Sequence, residues 1–386
     1  MQNLRVVVIG AGIGGLTAGL ALHQAGYAVD IYDRVQELRP VGAGISLWSN
    51  GVKVLNRLGL GSQIQAIGGT MQRMQYRDKS GALLNDISLD PLIQAVGQRP
   101  YPVARRDLQQ MLLEAFPGSV HLGHECVAVA ETDSGVIAQF ANGHRVEGDV
   151  LVAADGIRSR VRQYVLGEDV SPQYGGYVNW NGLVPASEDL APLDSWVIYV
   201  GDHQRVSLMP VGGERFYFFF DVPLPPGTVG DPQSHRHQLQ HYFQGWADPV
   251  QRLLERLDPA TIARPEIHDL GPIPTYVRGR VALLGDAAHA TCPDLGQGGC
   301  QAMEDAWVLA QYLLTTTLSV TDALQRYDRE RTARANAVVM KARQRAEQIH
   351  GRDPAVTQAW YEQLAHESPL AVTDAIAKVI LAGALH

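Results

Sequence analysis

The sequence LRVVVIGAGIGG at residues 4–15 decides the fold of this chain. Its first half is apolar and β-branched, which is typical of a strand buried on both faces of a parallel sheet. Its second half spaces Gly10, Gly12 and Gly15 as in the G-x-G-x-x-G turn between a strand and a helix. The first glycine permits the tight turn, the second lets a pyrophosphate approach the backbone, and the third lets the helix pack closely on the strand. The stretch therefore predicts the opening strand, turn and helix of a dinucleotide-binding domain.

A second strand and an acidic residue follow at the spacing that this domain requires. Residues 28–32 have strand character and lead to Asp33, roughly 20 residues beyond Gly15, where dinucleotide-binding proteins carry a carboxylate for a ribose hydroxyl. The helix after the glycines offers free N–H groups and the positive end of its dipole to phosphates. Strand, helix, strand and acid in this order favour dinucleotide binding over a glycine-rich turn without a ligand.

Composition narrows the classes of function. A length of 386 residues suits two domains, or one large domain with an insertion. The net charge of −8 argues against a nucleic-acid-binding surface, and no run of about 18 apolar residues indicates a membrane span. The three cysteines, Cys126, Cys292 and Cys300, form no C-x-x-C pair, which favours free thiols in a reducing cytoplasm. We therefore expect a cytoplasmic protein that binds neither nucleic acid nor membrane, and no metal site.

Strand character divides the chain into interleaved parts. Buried strands recur at residues 149–154 and 281–284, whereas the stretch from Tyr174 to Phe220 is rich in aromatic residues and alternates, as in an antiparallel sheet with two unlike faces. We predict a discontinuous nucleotide-binding domain made of residues 1–73, 101–173 and 266–345. A sheet domain of residues 74–100 and 174–265 is inserted in it, and residues 346–386 form a C-terminal helical segment.

Three stretches, taken in order, resemble the class A flavoprotein monooxygenases. They are residues 10–15 with Asp33, the D-G-x-x-S-x-V-R match at residues 155–162, and the G-D-A-A-H sequence at residues 285–289 followed by Pro293 and residues 296–299. The resemblance implies an α/β fold, with a Rossmann-type FAD-binding domain and an inserted mixed or antiparallel β-sheet substrate domain, as in para-hydroxybenzoate hydroxylase. It implies FAD as the cofactor. It also implies NADH or NADPH as a transient co-substrate, which fits the lack of a second G-x-G-x-x-G sequence.

The same resemblance implies a set of cofactor-binding residues. They are Gly10, Gly12, Gly15, Asp33, Arg34, Ser46, Arg105, Val127, Asp155, Asp286, Gly296, Gln297, Gly298 and Gly299. Asp33 departs from the glutamate expected at its position, although a shorter acid still reaches a ribose hydroxyl. The helix predicted after Gly299 would direct its positive dipole end at the pyrimidine side of the flavin.

Some of these residues also have a purely structural interpretation. Asp286 follows a buried strand, where α/β sheets place ligands, but an aspartate there also caps the next segment. Arg106 stands beside Arg105, which leaves open which arginine faces the flavin. His289 is interpreted as a packed, hydrogen-bonded residue rather than a catalyst.

The inserted sheet should decide the substrate. Alternation places Asn179 and its neighbours Tyr177 and Asn181 on one strand face. If residues 210–214 form a hairpin with Met209 opposite Arg215, then Ser207 faces Tyr217, and Arg205 faces Phe219. Arg205 and Tyr217 become diagonal neighbours on one face. An arginine and a phenol on an aromatic wall suit a planar, anionic heterocycle, whereas the alternative is a surface arginine and a core tyrosine.

The resemblance is strongest to the urate-hydroxylating members of the family. It is carried by residues 177–183, 205–210, 216–225, 266–269 and 293–300. It implies that Arg205 and Tyr217 are the catalytic residues that hold urate, with Asn179 and Gly298 also binding substrate. By the same resemblance, NADH reduces the flavin, O2 forms a C4a-hydroperoxyflavin, and C5 of urate is hydroxylated to give 5-hydroxyisourate. No general base is assigned.

Two alternatives stay open at this point. One is a flavin monooxygenase of another aromatic anion, of the salicylate or hydroxynicotinate type. The other is a flavin-binding redox sensor without turnover, which would not need the polar wall at Asn179, Arg205 and Tyr217. The sequence also leaves open the oligomeric state and the choice between NADH and NADPH.

Overall fold

The computed structural model describes residues 4–38, 43–228, 230–351 and 353–385. Its strands are β1 (Arg5–Ile9), β2 (Ala28–Tyr32), β3 (Gly44–Ile45), β4 (Arg73–Asp78), β5 (Leu83–Ser88), β6 (Val103–Ala104), β7 (Ser119–His121), β8 (Cys126–Glu131), β9 (Val136–Phe140), β10 (Arg145–Gly148), β11 (Val150–Ala153), β12 (Gln173–Pro185), β13 (Ser195–Gly201), β14 (Gln204–Val211), β15 (Arg215–Pro223), β16 (Glu266–Asp269), β17 (Val277–Arg278) and β18 (Val281–Leu283). Its helices are α1 (Ile13–Gln24), α2 (Ser49–Arg57), α3 (Gly61–Ile67), α4 (Asp90–Val96), α5 (Arg105–Ala115), α6 (Val161–Leu166), α7 (His235–Tyr242), α8 (Asp248–Arg256), α9 (Asp286–His289), α10 (Gly298–Leu314), α11 (Val320–His350), α12 (Pro354–His366) and α13 (Pro369–Leu381).

The first strand lies inside a sheet with the order β17-β18-β11-β1-β2-β7. β1 pairs in parallel with β2 on one side and β11 on the other, so that Val8 lies opposite both Ile31 and Val152. Its apolar residues are buried because helices such as α1 cover the sheet. The turn after β1 needs glycine: Gly10 has φ +106°, and a Cβ on Gly15 would lie 1.9 Å from the Gly10 carbonyl oxygen. The predicted Rossmann-type domain is confirmed.

A second, mixed sheet has the order β16-β12-β15-β14-β13-β4-β5. Its pairs are antiparallel except β13 with β4, which confirms the predicted inserted sheet. On β15, Phe216, Phe218 and Phe220 point into a separate core with α7 and α8. Tyr217 and Phe219 point to the opposite face, towards the first sheet. Residues 266–269, assigned above to the nucleotide-binding domain, instead form the edge strand of this sheet, because they pair with β12.

The predicted register of β14 with β15 is wrong by two residues. The connecting loop is residues 212–214, where Gly213 and Glu214 both have positive φ, and the strands are paired up to Val211 opposite Arg215. Arg205 therefore faces Asp221 rather than Phe219, and Ser207 faces Phe219 rather than Tyr217. Arg205 and Tyr217 lie on one sheet face but are not diagonal neighbours.

The C-terminal helices cover the β5 edge of the second sheet. The buried Asn85 donates hydrogen bonds from Nδ2 to the carbonyl oxygens of Leu364 and Glu367, which holds the end of α12 on β5. No helix in the described part of the chain is both long enough and apolar enough to cross a bilayer. Cys126, Cys292 and Cys300 are buried free thiols, as expected from their spacing.

Candidate active site

A cavity of about 450 Å³ opens between the two sheets. One end is formed by the turn after β1 and the other by the polar face of β12, β14 and β15. Glycine contributes an unusual share of its wall: Gly12, Gly14, Gly44, Gly156, Gly285, Gly296, Gly298 and Gly299. Glycines leave backbone N–H groups accessible, so this wall suits a long ligand that is held by main-chain contacts.

Gly12 differs from its two companion glycines. A Cβ on Gly12 would meet nothing within 4 Å, whereas a Cβ on Gly10 would lie 2.2 Å from the Ala154 carbonyl oxygen. The φ of Gly12 is −76°, which any residue adopts, and α1 begins at the next residue, Ile13. Neither packing nor backbone conformation therefore requires glycine at position 12, and its bare backbone is free to serve a ligand.

Other predicted cofactor-binding residues also line this cavity. Ser46 and Arg105 do so beside β3 and β6, and Asp286 does so as the first residue of α9. Arg105 lines the cavity while Arg106 is exposed and lies outside the lining, which identifies the arginine that faces the ligand space. Among the described residues, the Arg105 guanidinium has no hydrogen-bond or ion-pair partner.

Seven predicted cofactor-binding residues do not line the cavity, and two of them are Gly10 and Gly15, which are needed for the packing of the turn after β1. Asp33 accepts hydrogen bonds from the Ala11 N–H (2.6 Å) and the Val35 N–H (3.0 Å), so its carboxylate fixes the turn. The remaining four are Arg34, which is exposed, Val127, which is 52% exposed on β8, Gln297, which is buried, and Asp155, which lies between the lining residues Ala154 and Gly156. Burial raises the pKa of Asp155, and its Oδ1 atom is a buried acceptor that lacks a donor within the described ranges.

Buried charges position the strand end next to Asp286. Asp305 on α10 accepts hydrogen bonds from the Gly285 N–H (2.8 Å) and lies 2.6 Å from His289 Nε2. Arg331 on α11 pairs with Asp305 (2.6 Å) and Glu304 (2.8 Å), and all three side chains are fully buried. Burial alone would raise the pKa of Asp305, but His289 and Arg331 lower it to about 2. His289 is thus part of a structural network in this protein.

We expect the stability of the folded protein at acidic pH to depend on the ionised carboxylate of Asp305. Its pKa is lower in the folded state than the ordinary value near 3.9, so its contribution is present above about pH 4 and is lost as the pH falls towards about 2. We expect Asp305→Asn to reduce the free energy of unfolding by roughly 2–3 kcal/mol near neutral pH, and the difference from the parent to shrink on acidification. Urea unfolding at several pH values measures this. The exposed Asp374→Asn variant is the control, and a pH-independent difference would contradict the account.

Arg205 is paired with two carboxylates of the protein itself. Its Nε donates to Asp221 Oδ2 (2.8 Å), and its Nη2 contacts Asp221 Oδ2 (2.6 Å) and Asp294 Oδ1 (3.0 Å). Burial would lower the pKa of Arg205, but Asp221 and Asp294 raise it. Within the described residues, only Nη1 lacks an acceptor. Arg205 also lies 5.0 Å from the centre of the Phe219 ring.

Two of the other predicted substrate-binding residues, Asn179 and Tyr217, line the same wall, whereas Gly298 lines the cavity at the start of α10. Asn179 donates to Asp221 Oδ1 (2.6 Å) and accepts from Asn181 Nδ2 (2.7 Å), so both of its amide atoms are engaged in holding the wall. Tyr217 lies against β3, where a Cβ on Gly44 would come within 2.3 Å of its ring. No partner for the Tyr217 hydroxyl exists in the described part of the chain, so it is available to a ligand.

Sequence reasoning missed the acidic half of this wall. Tyr177 donates from its hydroxyl to Asp294 Oδ2 (2.6 Å), and the imidazole of His350 lies 4.2 Å from the Tyr177 ring. Asp221 follows the aromatic run of β15, and its alternation with Tyr217 and Phe219 is a signal that could have placed it on this face. Nothing in the sequence near His350, at the end of α11, indicates the cavity.

These observations fit FAD. The residues supply a bare backbone at Gly12, the N-terminal ends of α1 and α10, and a cation at Arg105 that has no ion-pair partner among the described residues, all of which suit an anionic pyrophosphate. Gly296, Gly298 and Gly299 line the cavity, and the lack of side chains at these positions lets a ring system approach the backbone. The second end of the cavity leaves room for a small polar ligand beside Arg205 and Tyr217.

Comparisons with known proteins agree with this fit. A family model described as FAD binding domain matches residues 3–342. The FAD-dependent urate hydroxylase of Klebsiella pneumoniae subsp. pneumoniae is 48% identical over 384 residues, covering 99% of this chain and 100% of that protein. A crystal structure of Klebsiella pneumoniae HpxO with FAD and uric acid matches with a TM-score of 0.95 and 46% identity, over 100% of this chain and 98% of that one. A salicylate hydroxylase substrate complex matches with a TM-score of 0.80 and 29% identity, over 99% of both chains.

Proposed function

The chain belongs to the FAD binding domain family and is an FAD-dependent monooxygenase, and on this premise we propose that it converts urate to 5-hydroxyisourate with O2 and NADH. The chain is 48% identical to a urate hydroxylase over 99% of its length, and this similarity confirms urate hydroxylation as the activity predicted from the sequence. The observation that carries the proposal in this structure is one cavity that joins a dinucleotide-binding turn to the wall of Arg205 and Tyr217. The alternative of a redox sensor without turnover is not retained.

When bound, FAD supplies hydride acceptance from NAD(P)H and the activation of O2. The protein has to bind FAD and the substrate, orient them towards each other, and shield the reacting atoms from water. We propose that Gly12 and the N-terminus of α1 hold the phosphates, that Arg105 adds a positive charge, and that Asp286 binds the sugar-like chain. The N-terminus of α10 at Gly298 would stabilise negative charge on the pyrimidine side of the flavin.

The second sheet would hold the substrate. Nη1 of Arg205 and the hydroxyl of Tyr217 are the two donors on this wall without a partner in the described residues, and both suit the oxygen atoms of a urate anion. The apolar side chains of Trp196, Met209 and Phe219 line the space around them. They would exclude water from the reacting atoms, which limits the wasteful release of hydrogen peroxide.

A substrate panel tests the choice of urate. The FAD-loaded protein is mixed with NADH and O2 in the presence of urate, salicylate or 6-hydroxynicotinate, and NADH oxidation, oxygen uptake and product are measured together. We expect urate to stimulate NADH oxidation and to be hydroxylated in step with it. Hydroxylation of one of the other aromatic anions in preference to urate would contradict the proposal. Repeating the assay with NADPH decides the preferred nicotinamide, and a cytoplasmic location stays a prediction.

Tyr217 offers a specific test of the substrate wall. Its hydroxyl lacks a partner in the described part of the protein, so Tyr217→Phe removes a contact to the ligand alone. We expect urate affinity to fall about fivefold, the equivalent of one hydrogen bond of about 1 kcal/mol. Flavin absorbance during urate titration measures the affinity. Tyr199→Phe, on the opposite face of the same sheet, is the control, and equal affinities in all three proteins would argue against Tyr217 as a urate ligand.

A further inference from the structure

A buried histidine stands behind the substrate wall with one ring nitrogen unused. The His350 side chain is 1% exposed at the end of α11. Its Nδ1 lies 3.0 Å from the carbonyl oxygen of His203. A carbonyl only accepts, so Nδ1 carries the hydrogen and Nε2 is the nitrogen that gains or loses a proton. Within the described residues, Nε2 has no hydrogen-bond partner.

Nε2 is directed at the two carboxylates that hold Arg205. It lies 3.7 Å from Asp221 Oδ2 and 3.7 Å from Asp294 Oδ1, the two oxygen atoms that Nη2 of Arg205 bridges. With a neutral imidazole, this buried group has two carboxylates and one guanidinium, and hence an excess negative charge. With an imidazolium, the charges of the group cancel.

An anionic substrate makes this difference matter. A urate anion beside Arg205 would meet a wall with excess negative charge as long as His350 is neutral. A unit charge about 7 Å away, at an effective dielectric constant near 20, changes the proton affinity of a group by roughly ten- to a hundredfold. We propose that His350 takes up a proton when urate binds, so that the wall of Asp221, Asp294 and Arg205 becomes neutral and accepts the anion. The inference rests on the proposed function, because it needs an anionic substrate.

The pKa of His350 itself and those of two neighbouring side chains bear on this proposal. Burial lowers the pKa of His350, with Asp221 and Asp294 acting in the opposite direction and Arg205 in the same one, so the imidazole is neutral near pH 7 in the free protein. Burial raises the pKa of Tyr177, whose ring contacts His350, and also that of Cys292 nearby. Both stay protonated. Because the complex favours the protonated form of His350, urate affinity should fall as the pH rises through the pKa of His350 in the complex and then level off.

Calorimetry of urate binding tests this directly. Urate is titrated into the oxidised, FAD-loaded protein without NADH, in buffers of different ionisation enthalpy, and the dependence of the heat on the buffer gives the number of protons taken up. We expect uptake that is greatest near about pH 6–7 and a urate affinity that falls roughly tenfold towards pH 8.5. Urate binding without proton uptake at any pH would overturn the inference and leave the proposed function intact, whereas a failure of urate to bind would overturn both.

Substitutions of His350 test whether this residue is the group that takes up the proton. His350→Asn places an amide N–H near the position of Nδ1, keeps a donor for the His203 carbonyl, and removes the titrating nitrogen. We expect urate to bind with no proton uptake and with little pH dependence. His350→Gln gives the same test with a longer side chain, and the exposed His237→Asn should keep the parental proton count. Proton uptake that persists unchanged in FAD-loaded His350→Asn and His350→Gln would contradict the role of His350.

Discussion

Gly12→Val is expected to give a folded protein that no longer retains FAD. A Cβ at this position meets no protein atom within 4 Å and the backbone is in a conformation that valine adopts, so the fold should tolerate the change. The new side chain would occupy the space beside the N-terminus of α1, where a pyrophosphate approaches the backbone. We expect FAD affinity to fall by more than about a hundredfold, which corresponds to a loss of roughly 3 kcal/mol or more. Flavin content after purification and titration of the apoprotein with FAD measure it.

A different glycine of the same turn serves as the contrast. Gly15→Val should destabilise the protein itself, because a Cβ there would lie 1.9 Å from the Gly10 carbonyl oxygen. Circular dichroism and thermal unfolding separate the two variants. A folded Gly12→Val protein that purifies fully loaded with FAD would contradict the placement of the cofactor.

Arg205→Ala is expected to weaken urate binding by on the order of ten- to a hundredfold, since it removes a charge-assisted hydrogen bond worth roughly 1.5–3 kcal/mol. The structure adds a second effect. Asp221 and Asp294 would remain as buried carboxylates without their cation, and the free energy of unfolding should fall by about 3–5 kcal/mol. Arg205→Lys should restore only part of either loss, because an ammonium lacks the planar fork that reaches two carboxylates and a ligand at once.

The two effects of Arg205 can be separated. Adding Asp294→Asn to Arg205→Ala removes one uncompensated carboxylate, so stability should partly recover while urate affinity stays low. Urate affinity is followed by flavin absorbance on samples of known FAD content, and stability by urea unfolding. Parental urate affinity in FAD-loaded Arg205→Ala would contradict the assignment of Arg205 to the substrate wall.

The order of the elements and the faces of the strands could be predicted from local patterns. The glycine spacing after β1 predicts a strand, turn and helix because each glycine answers a local steric demand, two of which the structure shows at Gly10 and Gly15. The alternation along residues 215–220 predicts which aromatic side chains share a face, because successive residues of a strand point to opposite sides. These inferences need only short-range geometry.

The charge balance of the site could not be predicted in this way. The register of β14 with β15 depends on Glu214 adopting a positive φ, which its residue type does not indicate. Asp294 reaches Arg205 from a short 3-10 helix, 89 residues further along the chain, and His350 lies at the end of a helix in another layer. Such contacts arise from the packing of distant elements. The two carboxylates that pair with Arg205 in the folded protein therefore could not be identified from the sequence.

We propose that this cavity brings FAD, O2 and urate together for hydroxylation. Mass spectrometry of the product formed from urate and NADH under O2 enriched in a heavy oxygen isotope tests it most directly. We expect 5-hydroxyisourate to carry one labelled oxygen atom derived from O2, with one NADH consumed for each product molecule. An unlabelled product, whose new oxygen atom comes from water, would show that the protein does not hydroxylate urate with O2.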